Sequence, residues 1–373
     1  MLEGMRITAQ GVVHTAEPGS ARAVACFPSL TVLPGGDLLA VYRAGLSKAA
    51  SDSVIEIRRS ADCGRTWTEP ESPFQTVFGG VGGALQVVYV TVLAPDHLLA
   101  CGLWVDLEAH PGKPLFNEAT EGCLPMKILL ADSRDRARTW SPWRELPVPA
   151  GVGPPSLTSP VARLGDGRLA VSIETNKNYD DASPWLQRVV HCYSYDDGRT
   201  WTPPHTVTAD PSGRIFHWDQ RLGVSPDGVV GAFSWTYDKP ANRYLPIRRH
   251  LSHDHGATWI TDVLPFADQP SHPAVLPSGR IVLAWVDRYQ SRSIRARMAA
   301  SIAAPFDPET EVVLYEAPGC ANRTADTGEL LADMSTWSFG LPYAEALPDG
   351  DAMVVYYAGA PDRMEIRWAR LSL

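Results

Sequence analysis

Apolar and polar residues alternate along this chain in short runs, and the runs come in pairs. Six times an alternating run leads through a tight Pro/Gly/Asp turn into a second apolar run. The copies are PSLTVLPGGDLLAVYR from Pro28, VYVTVLAPDHLLACGLW from Val88, LTSPVARLGDGRLAVSIE from Leu157, RLGVSPDGVVGAFSW from Arg221, HPAVLPSGRIVLAWV from His272 and PYAEALPDGDAMVVYY from Pro342. A period of two sends successive side chains to opposite faces of a strand, and the turn residues close two such strands into a hairpin. No stretch of useful length carries the 3.6-residue period of a helix. The turns begin at Pro34, Pro95, Gly165, Pro226, Pro277 and Pro348, an average spacing of about 63 residues, so six copies fill nearly all of the 373. A unit of that size has room for two more strands after its hairpin, the content of one four-stranded propeller blade. The pattern predicts an all-β chain, a single six-bladed β-propeller domain over residues 1–373. The opening MRITAQGVVH and the closing MEIRWARLSL are expected in the same or adjacent blades, fastening the ring.

A second motif runs in phase with the first. SADCGRTW from Ser60, SRDRARTW from Ser133, SYDDGRTW from Ser194 and SHDHGATW from Ser252 share the pattern S-x-D-x-G-x-T-W, with Ala137 in place of the glycine in the second copy. An Asp in such a turn accepts backbone N–H bonds, the Gly takes a conformation other residues avoid, and the Trp packs between blades. Asp62 and its counterparts therefore read as turn formers rather than as catalysts or metal ligands. The octet resembles the Asp-box of the sialidase-like propellers (BNR repeats), and the resemblance extends over the whole chain through the blade repeat. It implies a sialidase-like fold with the octets between third and fourth strands, away from the substrate. It also implies a glycosidase acting on a terminal, acidic sugar of an oligosaccharide or glycoconjugate.

Composition narrows the partners. The net charge of −9, the pI near 5.6 and the lack of any run of Lys or Arg speak against a nucleic-acid partner. The first 20 residues hold no continuous apolar segment behind a basic start, and nowhere do 18 apolar residues run together. A cytoplasmic protein without a membrane partner is the expectation, and the oligomeric state is open. Cys26, Cys63, Cys101, Cys123, Cys192 and Cys320 lack CxxC or CxH spacing, so they read mostly as buried thiols, and neither a metal nor a cofactor is expected.

The hairpin register says where chemistry belongs. If the Pro/Gly turns and the octets share one face, the starts of the inner strands and the ends of the second strands share the other. That face collects carboxylates, arginines and flat aromatic rings, which is how a sugar site is built. Asp52, Glu174, Asp219 and Tyr343 are the candidate catalytic residues. Arg43, Trp104, Asn176, Trp218, Arg221, Trp235, Asp238, His272, Asp287, Arg288 and Trp337 are the candidate substrate contacts. For several a plainer role competes: Trp104 or Trp235 as packing between blades, Asp238 as a turn former, and Asp219 as the ion-pair partner of Arg221.

Comparison with sialidases limits the resemblance. The family's Arg-Ile-Pro triplet is matched by Cys26-Phe27-Pro28, so the carboxylate-gripping Arg is absent. The position of the nucleophilic Tyr falls on Leu341, two residues before Tyr343. Arg43 and Asp52 stand where the resemblance implies a pocket Arg and a general acid. Glu174, at the end of the apolar strand in LAVSIETN, is rigidly placed for catalysis. Three functions remain: a hydrolase, a non-catalytic carbohydrate-binding propeller, and a polysaccharide lyase using His217 or His272 with a Tyr.

Overall fold

The computed structural model describes residues 4–318, 334 and 337–373. Six antiparallel hairpins stand where the alternating runs put them: Val24–Val32 with Leu38–Gly45, Val81–Ala94 with His97–Asp106, and Ile215–Val224 with Val230–Asp238 are three. Phe339–Ala346 with Ala352–Ala360 is another. In the third and fifth units the inner strand is broken into two short pieces, Ser156–Leu157 with Ala162–Arg163 and Gln269–Pro270 with Ala274–Val275.

Five of the six turns are built alike. In the first, Leu33 N–H donates to the Asp37 carbonyl (2.8 Å) and Gly36 N–H to the Leu33 carbonyl (2.9 Å), and the same pair of bonds recurs from Leu164, Ser225, Leu276 and Leu347. The closing glycine has φ between +86° and +94° at Gly36, Gly167, Gly228, Gly279 and Gly350, which is the reason for glycine there. The second unit uses the two-residue turn Pro95-Asp96 between Ala94 and His97.

Each unit packs on the next, and the sixth packs on the first. Leu39, Ile57, Trp104 and Leu129 fill the space between units one and two, and Phe233, Phe266, Trp285 and Phe306 that between four and five. Fully burying a side chain of this kind stabilises by about 1.5–3 kcal/mol, so these layers hold the units together. The N-terminal strand Arg6–His14 lies antiparallel on the C-terminal strand Arg363–Ser372, supplying the sixth unit's outer strand from the other end of the chain. A single parallel pair, Val24 with Met364, then joins the first unit to the sixth. The opening and closing segments thus meet in one unit, as their sequences suggested.

All four octets close the same way. Ser60 Oγ takes the Gly64 N–H (2.8 Å) and donates to Asp62, whose carboxylate accepts the Thr66 N–H (2.8 Å) and hydroxyl (2.6 Å). The copies at Ser133, Ser194 and Ser252 repeat these bonds. Where Gly is replaced, Ala137 still adopts φ +65°. The Thr bonds hold Asp62, Asp135 and Asp196 down at about 2. Arg136 of the second octet reaches Asp37 in the first unit's turn (3.3 Å), and Arg168, beside the third unit's turn, donates to the His255 carbonyl of the fourth octet (3.0 Å). Octets and hairpin turns therefore share one face. Cys26, Cys101, Cys123 and Cys192 are buried thiols, Cys63 is exposed, and Cys320 lies outside the described residues.

Gly198 has φ +84°, and a Cβ there would stand 3.3 Å from Leu99. Gly198→Ala is expected to cost about 1–2 kcal/mol of stability, read as a lower midpoint in thermal or urea unfolding, with ligand binding at the opposite face unchanged.

Candidate functional site

On the other face the inner strands break register before they end. Pairing slips between Cys26 and Ser29, Trp218 and Arg221, and Gly340 and Tyr343, and the skipped residues Phe27, Asp219 and Leu341 have φ of +54°, +47° and +41°. A bulge of this kind re-aims a side chain. Each stands seven residues before its turn proline, and Thr158 holds the same register in the third unit. Phe27, Thr158, Asp219 and Leu341 all line one cavity of about 170 Å³, joined by Gln86 from a fourth slipped strand, between Leu85 and Val87.

The walls differ by side. Val87, Leu103, Leu115, Met126 and Leu157 make an aliphatic wall from units two and three, Trp185, Trp218, Trp235, Tyr244 and Trp337 an aromatic one, and Phe116 packs against both. Stacking fixes the rings: Trp218 lies on Tyr237 (centroids 5.1 Å, 19°) and Trp235 on Tyr244 (4.7 Å, 14°), with Trp337 edge-on to Trp235 at 5.7 Å.

The cavity's polar groups centre on Glu174, Asp219 and Arg221. Glu174 ends the second strand of unit three opposite Ser156 and is 6% exposed. Its Oε1 accepts from Thr158 Oγ1 (3.2 Å) and from the Gln220 N–H (3.3 Å). Burial, and then the negative charge of Asp219, push its carboxyl up to about 8. Asp219 lies 3.6 Å from Arg221 Nη2 and accepts from Gln269 Nε2. Arg221, buried, also donates to the Tyr89 hydroxyl (2.8 Å) and the Thr158 carbonyl. Gln269 is steadied in turn by Arg288 (2.6 Å). The result is one carboxyl carried as the acid at neutral pH beside one with cationic and amide partners, an arrangement suited to proton transfer.

The expected site residues divide. Glu174, Asp219, Asn176, Trp218, Arg221, Trp235 and Trp337 come together on the cavity, with the Asn176 amide held by the Pro154 carbonyl and Ser156 Oγ. The others do not line it. Asp52 is exposed on the loop after Leu38–Gly45. Tyr343 stacks between His272 (4.4 Å) and Tyr89 (6.2 Å), so the two-residue step from Leu341 carries it below the lining, and His272 with it. Arg43 turns inward because a loop curls over it: its donors go to Ser53 Oγ, the Lys48 and Ala50 carbonyls and Gln86 Oε1. Trp104 packs between units and bonds the Thr76 carbonyl. Asp238 pairs with Arg214 (2.7 Å) and Asp287 caps the turn at Gln290 and Ser291. Arg288 lies behind Trp337, 4.2 Å from its ring centroid, beside Asp268 (3.6 Å). His217 is buried against His250, centroids 5.6 Å apart. Among the described residues no cluster of three or more His, Cys, Asp or Glu is arranged to hold a metal.

Other residues of the site went unread. Leu115 and Phe116 belong to the long connection after His97–Asp106, which is pinned across units by Glu121–Lys239 (2.5 Å) and by Asn117 and Thr120 on the Tyr179 carbonyl. Trp185 and Tyr244 had only their position near strand ends as a signal, whereas Gln269 stands among the strand-end residues that the hairpin register puts on this face.

No protein-family model matches the chain, and no curated protein matches it. Solved structures do. A protein of unknown function from Dyadobacter fermentans aligns over 100% of both chains at 20% identity with a TM-score of 0.76. The intramolecular trans-sialidase from Ruminococcus gnavus aligns over 97% of both at 13% and 0.65. An alpha-L-arabinanase from Penicillium chrysogenum aligns over 97% of this chain and 98% of its own at 18% and 0.64. The chain has the sialidase-like β-propeller fold.

Because Glu174 sits at about 8 when folded against 4.5 in an open chain, the native state holds a proton the unfolded state loses. That contribution to stability is present below about pH 4.5 and fades as pH rises towards 8. Asp268, pushed up to about 7 by burial, and Glu345, pushed up to about 8 by burial, act in the same direction. Glu174→Gln is expected to shrink the loss of stability between pH 5 and pH 9 in urea unfolding, leaving the Asp268 and Glu345 shares.

Proposed function

We propose that the chain is a glycoside hydrolase acting on a terminal sugar, with Glu174 as the general acid and Asp219 as the ionised carboxylate facing the sugar's anomeric carbon. The observation that carries this reading is the pair itself: two neighbouring carboxyl groups in one aromatic-walled cavity, one pushed up to about 8 and the other beside Arg221 and Gln269. Glycosidic cleavage needs that division of labour, because one group must protonate the leaving oxygen while the other stabilises positive charge developing on the ring. The fold shared with a trans-sialidase and an arabinanase agrees with it. Asp219 sits in the left-handed region at a bulge, a conformation that costs energy and is kept where it aims a functional group. A lyase reading has less support, since neither His217 nor His272 lines the cavity.

Glu174→Gln and Asp219→Asn should each lower kcat by about 10²–10⁴-fold with the fold intact by circular dichroism. The assay is release of reducing sugar from a panel of glycosides. Wild-type kcat should fall as pH rises past about 8, where Glu174 loses its proton, and that limb should vanish in Glu174→Gln. A binding protein would turn over nothing, and a lyase would release an ultraviolet-absorbing unsaturated sugar; either result sinks the proposal.

A further inference from the structure

We infer that the substrate is an uncharged glycoside that presents an apolar group, a ring methyl or an aryl aglycone, to the aliphatic wall of the cavity. The inference rests on the hydrolase reading and names its substrate class.

The first argument is an account of the cations. A sugar carboxylate needs a guanidinium or ammonium whose charge is not already offset, because a buried unpaired charge costs several kcal/mol. Arg221 is the one described Arg or Lys on the cavity; its Nη1 bonds Tyr89 and Thr158, its Nη2 lies 3.6 Å from the Asp219 carboxylate that offsets its charge, and its Nε has no hydrogen-bond partner. Arg43 places all three of its nitrogens on protein oxygens. Arg288 is 3% exposed, with the Trp337 ring across it. Lys48 gives its ammonium to the Met334 and Trp337 carbonyls and to the Tyr357 hydroxyl. Asp219 is already the negative partner of Arg221, so a second carboxylate beside it would face repulsion with no new cation to offset it.

The second argument is the aliphatic wall. Leu103, Leu115, Phe116 and Met126 offer nothing to a hydroxymethyl or glycerol side chain, whose hydroxyls would lose water without gaining a partner. A methyl or an aryl ring gains there instead, since one extra apolar carbon in such a pocket is worth about 10–200-fold. The polar groups near that wall, Gln86, Ser156, Thr158 and Asn176, suit ring hydroxyls. The aromatic residues of the cavity suit the C–H face of the ring.

The test is calorimetric titration of the full-length Glu174→Gln variant with matched ligands: methyl 6-deoxyhexosides, the corresponding hexosides, phenyl glycosides, methyl hexuronides and a methyl sialoside. Replacing the ring methyl by hydroxymethyl, or phenyl by methyl in the aglycone, is expected to weaken binding at least tenfold, and the arm that shows it identifies the apolar group. Hexuronide and sialoside should bind weakest. Phe116→Ala, on a half-buried loop position that leaves the strands untouched, should erase most of the preference. A hexuronide or sialoside that binds as tightly as the neutral apolar ligands overturns this inference alone. If no sugar of any kind binds, the hydrolase reading falls and takes the inference with it.

Discussion

The pairing of the first strand with the last is the interaction on which the site depends. Arg6–His14 has no partner near it in sequence, and Arg363–Ser372 would otherwise leave the sixth unit with an open edge. The contact is shaped for closeness: a Cβ on Gly11 would fall 2.7 Å from the Trp368 indole, so only glycine lets the strands meet there. Holding the sixth unit against the first brings distant residues to one axis. The Ala344 N–H of unit six reaches the His272 carbonyl of unit five (3.0 Å), and Arg221 of unit four reaches Tyr89 of unit two. No single unit owns the cavity; it exists because the ends of the chain are tied.

How much of this could be read from sequence follows from which interactions are local. The hairpins, their glycine turns and the octets rest on bonds spanning about four residues, and each was visible as a repeated string. Glu174 and Asp219 were legible because the register of those strings told which strand ends share a face. The arginines were not. Arg43 and Arg288 stand at strand ends just as Glu174 does, yet loop carbonyls capture one and Trp337 with Asp268 enclose the other. Whether a guanidinium is free depends on how a neighbouring loop folds, and composition says nothing about that. Tyr343 failed for a different reason: the slip at Leu341 hands the cavity position to the bulged residue and sends the next inward-facing one beneath it. Phe116 and Trp185 come from long connections whose course is set by contacts such as Glu121–Lys239, from units apart in sequence.

Strict alternation would leave the upper ends of the inner strands paired to their neighbours and the axis lined by every second residue. Slipping the register at Phe27, Asp219 and Leu341 frees one residue per strand from the ladder and points it into shared space. What occupies those three places then decides the character of the cavity. Two are apolar and one is an acid, so the ring of bulges contributes a single charge, placed next to Arg221.

That distribution explains how an apolar cavity tolerates ionisable groups at all. Asp219 and Arg221 offset one another, and Arg221 is further held by Tyr89 and Thr158, so it adds no free positive field. Glu174 avoids the cost of a second buried negative charge by keeping its proton, driven by the same burial and by the nearness of Asp219. The cluster therefore sets a donor proton on Glu174 beside the Asp219–Arg221 ion pair.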